Sequence, residues 1–321
     1  MVRLFVPAGN GVRPDAGLHD LTGGSDGAVS PATYIGTPSE DPVNRTGIQA
    51  LANEPGISLV AIPGQTDVAA QNALLVHCEQ QVYRFAVLDT PEGATLRDAR
   101  DHRGEFDSTR AAIYYPWLMV PAPFGPRGEQ HAVPPSGHVL GVYARTDTAR
   151  GVWKAPANEV IRNILGFDVT VNKGEQDILN PVHVNCLRDF RSDQRGLRVW
   201  GARTLSSDPE WKYVPVRRTF LMIQQSLDAG LQWAVFEPNA KPLWDTVRQS
   251  ITGFLDSIWR QGGLAGITQE QAFFVNVGYG ITMEQADLDN GRLIVEVGIA
   301  PVYPAEFVII RISQKTLDAV G

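Results

Sequence analysis

Between residues 57 and 115 short apolar runs and helical stretches take turns along the chain, and this alternation narrows the fold more than any other feature. Ser58 to Ile62, ended by Pro63-Gly64, has the pattern of a short buried strand. Asp67 to Gln80 is predicted to be a helix with Val68, Leu74, Leu75 and Cys78 turned inward. Arg84 to Leu88 is a second strand, stopped by Asp89-Thr90-Pro91. A polar, partly helical segment starts near Ala94, and Ala111 to Tyr115 is a third strand. Strands joined in sequence through helices form right-handed crossovers, and so a parallel sheet with helices on both faces. The first half is therefore expected to be α/β.

After Pro116-Trp117 comes a Pro/Gly-rich loop, Pro121 to Pro135, then predicted helices at about 137–146 and 157–165. Strands at 182–187 and 197–200 flank an arginine-rich loop. Helical spacing returns at 216–229, through Phe220, Ile223 and Leu227. It recurs at 242–261, through Trp244, Val247, Ile251, Leu255, Ile258 and Trp259. Strands are expected at 272–277, 292–299 and 307–312, so the second half is α+β on a mostly antiparallel sheet. Residues 1–56 are rich in Gly, Pro, Asn and Asp and are expected to be loops. The predicted organisation is a loop-rich segment 1–56, a three-layer α/β domain 57–200 and an α+β domain 201–321 that ends in an extended strand. No internal repeat occurs.

The 321 residues include 28 Lys+Arg against 35 Asp+Glu, and a formal charge of -7 argues against a nucleic-acid surface. The densest basic cluster is Arg188, Arg191, Arg195 and Arg198. Asp189 and Asp193 interleave with it, which makes it a mixed solvated or subunit-facing surface. Two isolated cysteines, Cys78 and Cys186, suggest folding in a reducing compartment. No apolar run approaches the roughly 20 residues that cross a bilayer, so any membrane link would be indirect.

Few residues suggest chemistry. Gly23-Gly24-Ser25-Asp26-Gly27 lacks the Lys-Ser or Lys-Thr of a phosphate loop. Asp89, at a strand end where α/β sheets bind ligands, is the first catalytic suspect, although Asp before Thr-Pro is more often a turn residue. Ser136, in Pro-Pro-Ser-Gly-His, has Pro134 where a nucleophile elbow needs Gly, and is expected to cap the following helix. His19, His77, His102, His131, His138 and His183 form no pair at metal-ligand spacing. Trp244 and Trp259 are expected in the core. Trp117, Trp153, Trp200, Trp211 and Trp233 sit near loops or element ends, where they could be half-buried anchors or interface residues, with the core reading favoured for each one singly. Two readings of other classes are an α/β hydrolase using strand-end carboxylates at Asp89 and Asp107, and a monomeric binding module using Trp and Arg.

One ordered series of short segments is more specific. It runs Leu-Thr-Gly-Gly-Ser-Asp-Gly from Leu21, Tyr-Tyr-Pro-Trp from Tyr114, Val-Pro-Pro-Ser-Gly from Val133 and Gly-Val-Trp-Lys-Ala-Pro-Ala-Asn from Gly151. It continues with Leu179-Asn180-Pro181, Val-Trp-Gly-Ala-Arg-Thr-Leu from Val199, Trp211-Lys212-Tyr213, Val216-Arg217-Arg218, Phe-Glu-Pro-Asn from Phe236 and Pro-Ala-Glu-Phe-Val from Pro304. Together they resemble the contractile tail sheath family from about residue 20 to residue 314.

The resemblance implies a subunit that stacks in six-fold rings or helical strands around an inner tube protein, beside baseplate and tail terminator proteins. It implies contraction on a baseplate signal and no cofactor, nucleotide, metal, nucleic acid or catalysis. Assembly is expected in the bacterial cytoplasm, in a virion or a released extracellular particle. Sheath subunits are linked by terminal arms that add strands to a neighbour's sheet. Phe307, Val308, Ile309, Ile310, Arg311 and Ile312 are nominated for that linking strand, and Arg188, Arg191 and Arg195 for a charged neighbour contact. Sheath chains usually carry a longer segment before the Gly-Gly-x-Asp-Gly region than the twenty or so residues here, so a complete inter-subunit mesh is not expected from this chain alone. The chain also lacks room for large inserted surface domains, which suits a compact sheath.

Overall fold

The computed structural model describes residues 27–123, 126 and 128–307. Contacts divide the chain into Met1–Ser30 and Pro31–Gly321. Of the first unit, residues 27–30 are described and form no regular element. In the second, two short helices, α1 (Pro31–Ile35) and α2 (Gly47–Ala50), precede the sheet.

The strands β1 (Leu59–Val60), β2 (Phe85–Asp89) and β3 (Ala111–Tyr115) alternate with α3 (Val68–Gln80) and α4 (Leu96–Arg103). Every residue of β2 and β3 is buried, as expected of parallel strands covered on both sides. Beyond Pro116 come β4 (Leu118–Pro121), β5 (Gln130–Val133), α5 (Ser136–Arg150), β6 (Glu159–Val160), β7 (Gly166–Phe167) and α6 (Lys173–Leu179). The hairpin β8 (Val184–Phe190) and β9 (Gly196–Val199) follows, then α7 (Val214–Gly230), α8 (Lys241–Arg260), β10 (Phe273–Val277) and β11 (Val295–Ile299).

The main sheet has the order β1-β2-β3-β8-β9-β6. The first four strands are parallel, and β9 joins β8 and β6 antiparallel. A three-stranded sheet β5-β4-β7 and the two-stranded β10-β11 complete the pairing.

The alternation of side chains along the strands separates two cores. Ala86, Leu88, Ile113, Tyr115, Val184 and Cys186 face Leu74, Leu75 and Cys78 of α3, Ala99 of α4 and Leu179 of α6. Phe85, Val87, Ala112, Tyr114, Leu187 and Val199 face Val139, Val142 and Tyr143 of α5 and Val214 and Leu221 of α7. On α8, Leu243, Val247, Ile251, Leu255 and Ile258 recur at helical spacing. They form a third core with Ile223 of α7 and Phe273 of β10.

Caps fix the helix starts. Asp67 accepts the Ala70 N–H at 3.0 Å, while Thr95 with Asp98 and Asn172 with Glu175 form capping boxes. The segment before β1 is held by Arg84, which is 1% exposed and donates to the carbonyls of Leu51 (2.7 Å) and Glu54 (2.6 Å) and contacts the His77 ring. Burial, then the Arg84 charge, lowers the His77 pKa to about 4.

Some expectations fail. No helix forms at 157–165: Asn158 and Asn163 take left-handed φ of 59° and 61°, and the backbone N–H groups of Asn158, Ile161 and Leu165 bond to Val199, Leu197 and Met119. Long-range pairing overrides the local pattern. Ser136 does not cap α5. It is the first helical residue, after Pro135, and its hydroxyl is committed elsewhere. Trp244 and Trp259, expected in the core, are only partly buried against it, whereas Trp117 takes the favoured core position with its indole N–H on the Thr90 carbonyl at 2.7 Å. Among the described residues no helix is long and apolar enough to cross a membrane.

Leu255→Ala is expected to cost about 2–5 kcal/mol by leaving a cavity in the third core, measured by urea melts. Ile267→Ala, at a side chain 90% exposed, is expected to leave the midpoint almost unchanged. A second expectation concerns pH. Unfolded His77 takes a proton near the ordinary 6.5 but folded His77 only near 4, so stability is complete above pH 6.5 and falls as pH drops toward 4. Melts of wild type and His77→Gln across that range are expected to diverge, the variant showing the shallower slope.

Candidate assembly interface

Asp89, the first catalytic suspect, is a structural tie. Its carboxylate accepts the Gly64 N–H (3.0 Å), the Ser136 N–H (2.8 Å) and the Ser136 hydroxyl (2.7 Å), and its own carbonyl accepts the Gln71 amide (2.9 Å). It is neither an Asx-turn residue nor an open acid, since those donors join the end of β2 to the β1–α3 loop and the start of α5. Asp107 is similarly occupied by the Ser207 N–H (3.0 Å) and hydroxyl (2.6 Å). Two open surface depressions are lined by Arg103, His183 and Ser206 in one case and by Arg150, Trp153 and Met222 in the other. Neither includes Asp89.

The surfaces suited to assembly lie elsewhere. β10 and β11 pair in register from Phe273↔Ile299 to Val277↔Val295, and among the described residues each strand pairs only with the other. An isolated two-stranded ribbon is marginal in water, and here α8 supports one face through Phe273 and partly buried Val275, Val295, Val297 and Ile299. On the other face the half-exposed Phe274 ring lies across Gly298, where an added Cβ would come within 2.1 Å of it. Along most of their length the outer edges carry no strand partner among the described residues, but both are covered at one end: Arg248 donates to the Val277 carbonyl at 2.5 Å on β10, and Leu264 bridges to Pro301 while Ala265 donates to the Ala300 carbonyl at 2.8 Å just beyond β11. Such edges are templates for another strand.

After β11 the chain returns to the body and is fastened there by Glu306. Arg203 grips its carboxylate with two bonds, Nε to Oε1 at 2.8 Å and Nη2 to Oε2 at 2.7 Å. Asn180 adds a bond at 3.0 Å and the Tyr213 hydroxyl another at 3.0 Å. The third arm of Arg203 donates to the Asn180 carbonyl at 2.6 Å. Burial pushes the Glu306 pKa up, but the Arg203 and Asn180 hydrogen bonds and the Arg203 charge outweigh it and leave the carboxyl below its ordinary value. Phe307 follows, two-thirds exposed and outside any strand. Val308, Ile309, Ile310, Arg311 and Ile312 lie outside the described residues. No spacing rule links Arg203 with Glu306, although each belongs to one of the short segments that carry the family resemblance.

The nominated arginines are held within the chain. Arg191 forks onto Asp189 and donates to the Leu165 carbonyl at 2.9 Å. Arg188 donates to Gln176 at 3.0 Å and Arg195 to Asn158 at 2.8 Å, and their guanidinium groups lie 4.7 and 5.1 Å from the Phe190 ring centre. The structure thus brings Arg188 and Arg195 together around Phe190 and leaves Arg191 at the hairpin turn. In the α7–α8 loop, sequence reasoning offered Trp233 as an anchor or interface residue but missed the exposure of Val235 and Phe236. There Trp233 and Val235 are exposed and Phe236 is 102% exposed at a left-handed φ of 67°. Asn239 of the same Phe-Glu-Pro-Asn segment ties the loop down, accepting the Trp244 indole N–H at 2.7 Å and donating to the Arg292 carbonyl at 3.0 Å.

Glu306→Gln is expected to leave Arg203, 7% exposed, without its counter-charge and to loosen the segment by about 1.5–3 kcal/mol. Amide exchange of residues 300–307 should quicken while exchange in β2 and β3 stays slow; unchanged exchange at 300–307 would contradict the clasp.

The sequence profile of the phage tail sheath protein central domain matches residues 45–205, and that of the phage tail sheath C-terminal domain matches residues 206–315. A prophage chain of Pseudomonas aeruginosa (strain UCBPP-PA14) that carries a major-tail-sheath name is 28% identical over 233 residues, 68% of this chain and 58% of that one. The tail sheath protein of Escherichia phage P2 is 22% identical over 306 residues, covering 91% and 72%. Among solved structures, the sheath complex of the PVC extracellular contractile injection system in its contracted state is similar at a TM-score of 0.75 and 37% identity. The match covers 84% of this chain and 75% of that one. The helical sheath of the anti-feeding prophage, also contracted, is similar at 0.70 and 37%, covering 83% and 72%. The chain spans little more than half the length of its Pseudomonas relative. With both domain profiles matched along most of its length, the chain belongs to the phage tail sheath protein family.

Proposed function

We propose that this chain is a structural subunit of a contractile tail sheath, polymerising in six-fold rings or helical strands around an inner tube and contracting to drive that tube through a target envelope. The observation that carries this reading is the two-stranded β10–β11 sheet, fixed on α8 and without a further strand on either edge among the described residues, in a chain of the sheath family. A strand from a neighbouring copy could bond to either edge, which supplies backbone hydrogen bonds for linkage and side-chain pockets for register. The strand-forming segment from Phe307 to Gln314 is the proposed donor, released just after the Glu306 clasp. Arg188, Arg191 and Arg195 are proposed as a neighbour contact only through the hydrogen-bonding capacity their internal partners leave free.

In this reading contraction exchanges one packing of rigid subunits for another, so the work comes from interfaces and not from a bound nucleotide. The partners proposed are further copies, an inner tube protein, a baseplate and a tail terminator. The particle would be assembled in a bacterial cytoplasm and act outside it. The organisation proposed is a loop-rich 1–56, a three-layer α/β domain 57–200 and a C-terminal domain 201–321. No catalytic step is proposed; the buried Asp89 carboxylate, the first suspect, is spent on Gly64 and Ser136.

Negative-stain electron microscopy of the purified chain at rising concentration is the test. Rings or tubes are expected from the full chain and none from a chain ending at Phe307. Tubes from both would remove the linking-strand assignment, and dispersed particles at every concentration, even with an upstream arm restored, would remove the sheath reading.

A further inference from the structure

Arg217 and Arg218 are adjacent in one of the segments that carry the family resemblance, yet their situations differ. Arg218 of α7 is bonded by both terminal nitrogens to the Asp147 carboxylate, at 3.0 and 2.5 Å, and lies 4.8 Å from the centre of the Tyr143 ring. That pair fastens α7 to α5. Arg217 is half-buried with its guanidinium 4.6 Å from the centre of the Trp211 ring, and among the described residues it has no ion pair. Its Nε is fully enclosed with no hydrogen-bond partner.

The surroundings offer it no acid. Burial, then the nearby positive charge of Arg110, lowers the Arg217 pKa to about 10, and no carboxylate acts against them. Arg110 is itself half-buried and spends a donor on the Val82 carbonyl. Glu79, which accepts the Ser108 hydroxyl at 3.1 Å, acts on Arg110 and not on Arg217. Trp211 and Phe220, edge to face at 4.9 Å, form an aromatic wall beside the cation. A desolvated guanidinium without a counter-charge is costly in a lone subunit. Arg beside Trp is the composition that concentrates at the energetic centres of interfaces.

We infer that Arg217, backed by Trp211 and flanked by Arg110, is a receptor for a carboxylate side chain of a second copy of this chain. The occupant follows from charge: each copy carries 35 acidic residues against 28 Lys+Arg, so a neighbour brings carboxylates that its own cations cannot match. The inference rests on the sheath reading for its choice of partner. A carboxylate entering here meets the terminal nitrogens of a planar guanidinium that has no ion pair of its own among the described residues.

The experiment compares dispersed and assembled chain. Phenylglyoxal labelling followed by peptide mass spectrometry is expected to modify Arg217 in the dispersed chain and to do so at least about tenfold more slowly in the assembly. Arg217→Met keeps a stem against Trp211 and is expected to melt within a few degrees of wild type. It should raise the concentration needed for assembly roughly tenfold and weaken its salt dependence, with Arg217→Lys intermediate. Equal labelling in both states, protection already present in the dispersed chain, or Arg217→Met assembling like wild type would overturn the receptor and leave the sheath reading intact. A wild-type chain that never assembles, even with an upstream arm restored, would overturn both.

Discussion

Complete burial of two neighbouring strands sets the conditions for everything else. Because β2 and β3 have no solvent-facing residue, each needs apolar cover on both faces. The chain provides α3, α4 and α6 on one side and α5 and α7 on the other. Helix α7 then does double duty, giving Val214 and Leu221 to the sheet and Ile223 to the core under α8. Through that shared helix the C-terminal hairpin is packed against the same body that holds the sheet. Interiors this close-packed transmit displacement and do not absorb it, which suits a subunit whose family members work as parts of a helical array.

The periodic parts of this fold were legible in the sequence. The buried run before Asp89 and the stripe on α8 gave their elements within a residue or two, because burial on one face or both imposes a period that composition reveals. What the sequence hid was pairing at a distance. Residues 157–165 have acceptable helical composition, but two asparagines in left-handed conformation and bonds to β4 and β9 make them extended. Asp89 stood out by position, while its actual partner Ser136 is 47 residues away. The arginine loop was visible as charge density, yet the Asp189, Gln176 and Asn158 contacts that occupy it depend on the folded hairpin.

The candidate interface was legible only in outline. A terminal strand suggested strand exchange, whereas the acceptor became apparent only from the topology, as a ribbon with no third strand among the described residues. The exposed Phe236 gave no sequence signal that separates it from a core phenylalanine, since its left-handed backbone comes from the tight loop that Asn239 secures. Apolar side chains displayed in this way are costly to leave in water and gain when a partner covers them.

The Glu306 clasp also sets a direction for mechanical load. Tension applied to the chain beyond Phe307 meets the carboxylate first, and through Arg203, Asn180 and Tyr213 it passes into the segment after β9 and the starts of β8 and α7. The neighbouring hairpin, which would unzip one ladder bond at a time if its own end were pulled, is bypassed. A cable gland protects a soldered joint in the same manner: the grip takes the strain so that the connection behind it can stay delicate.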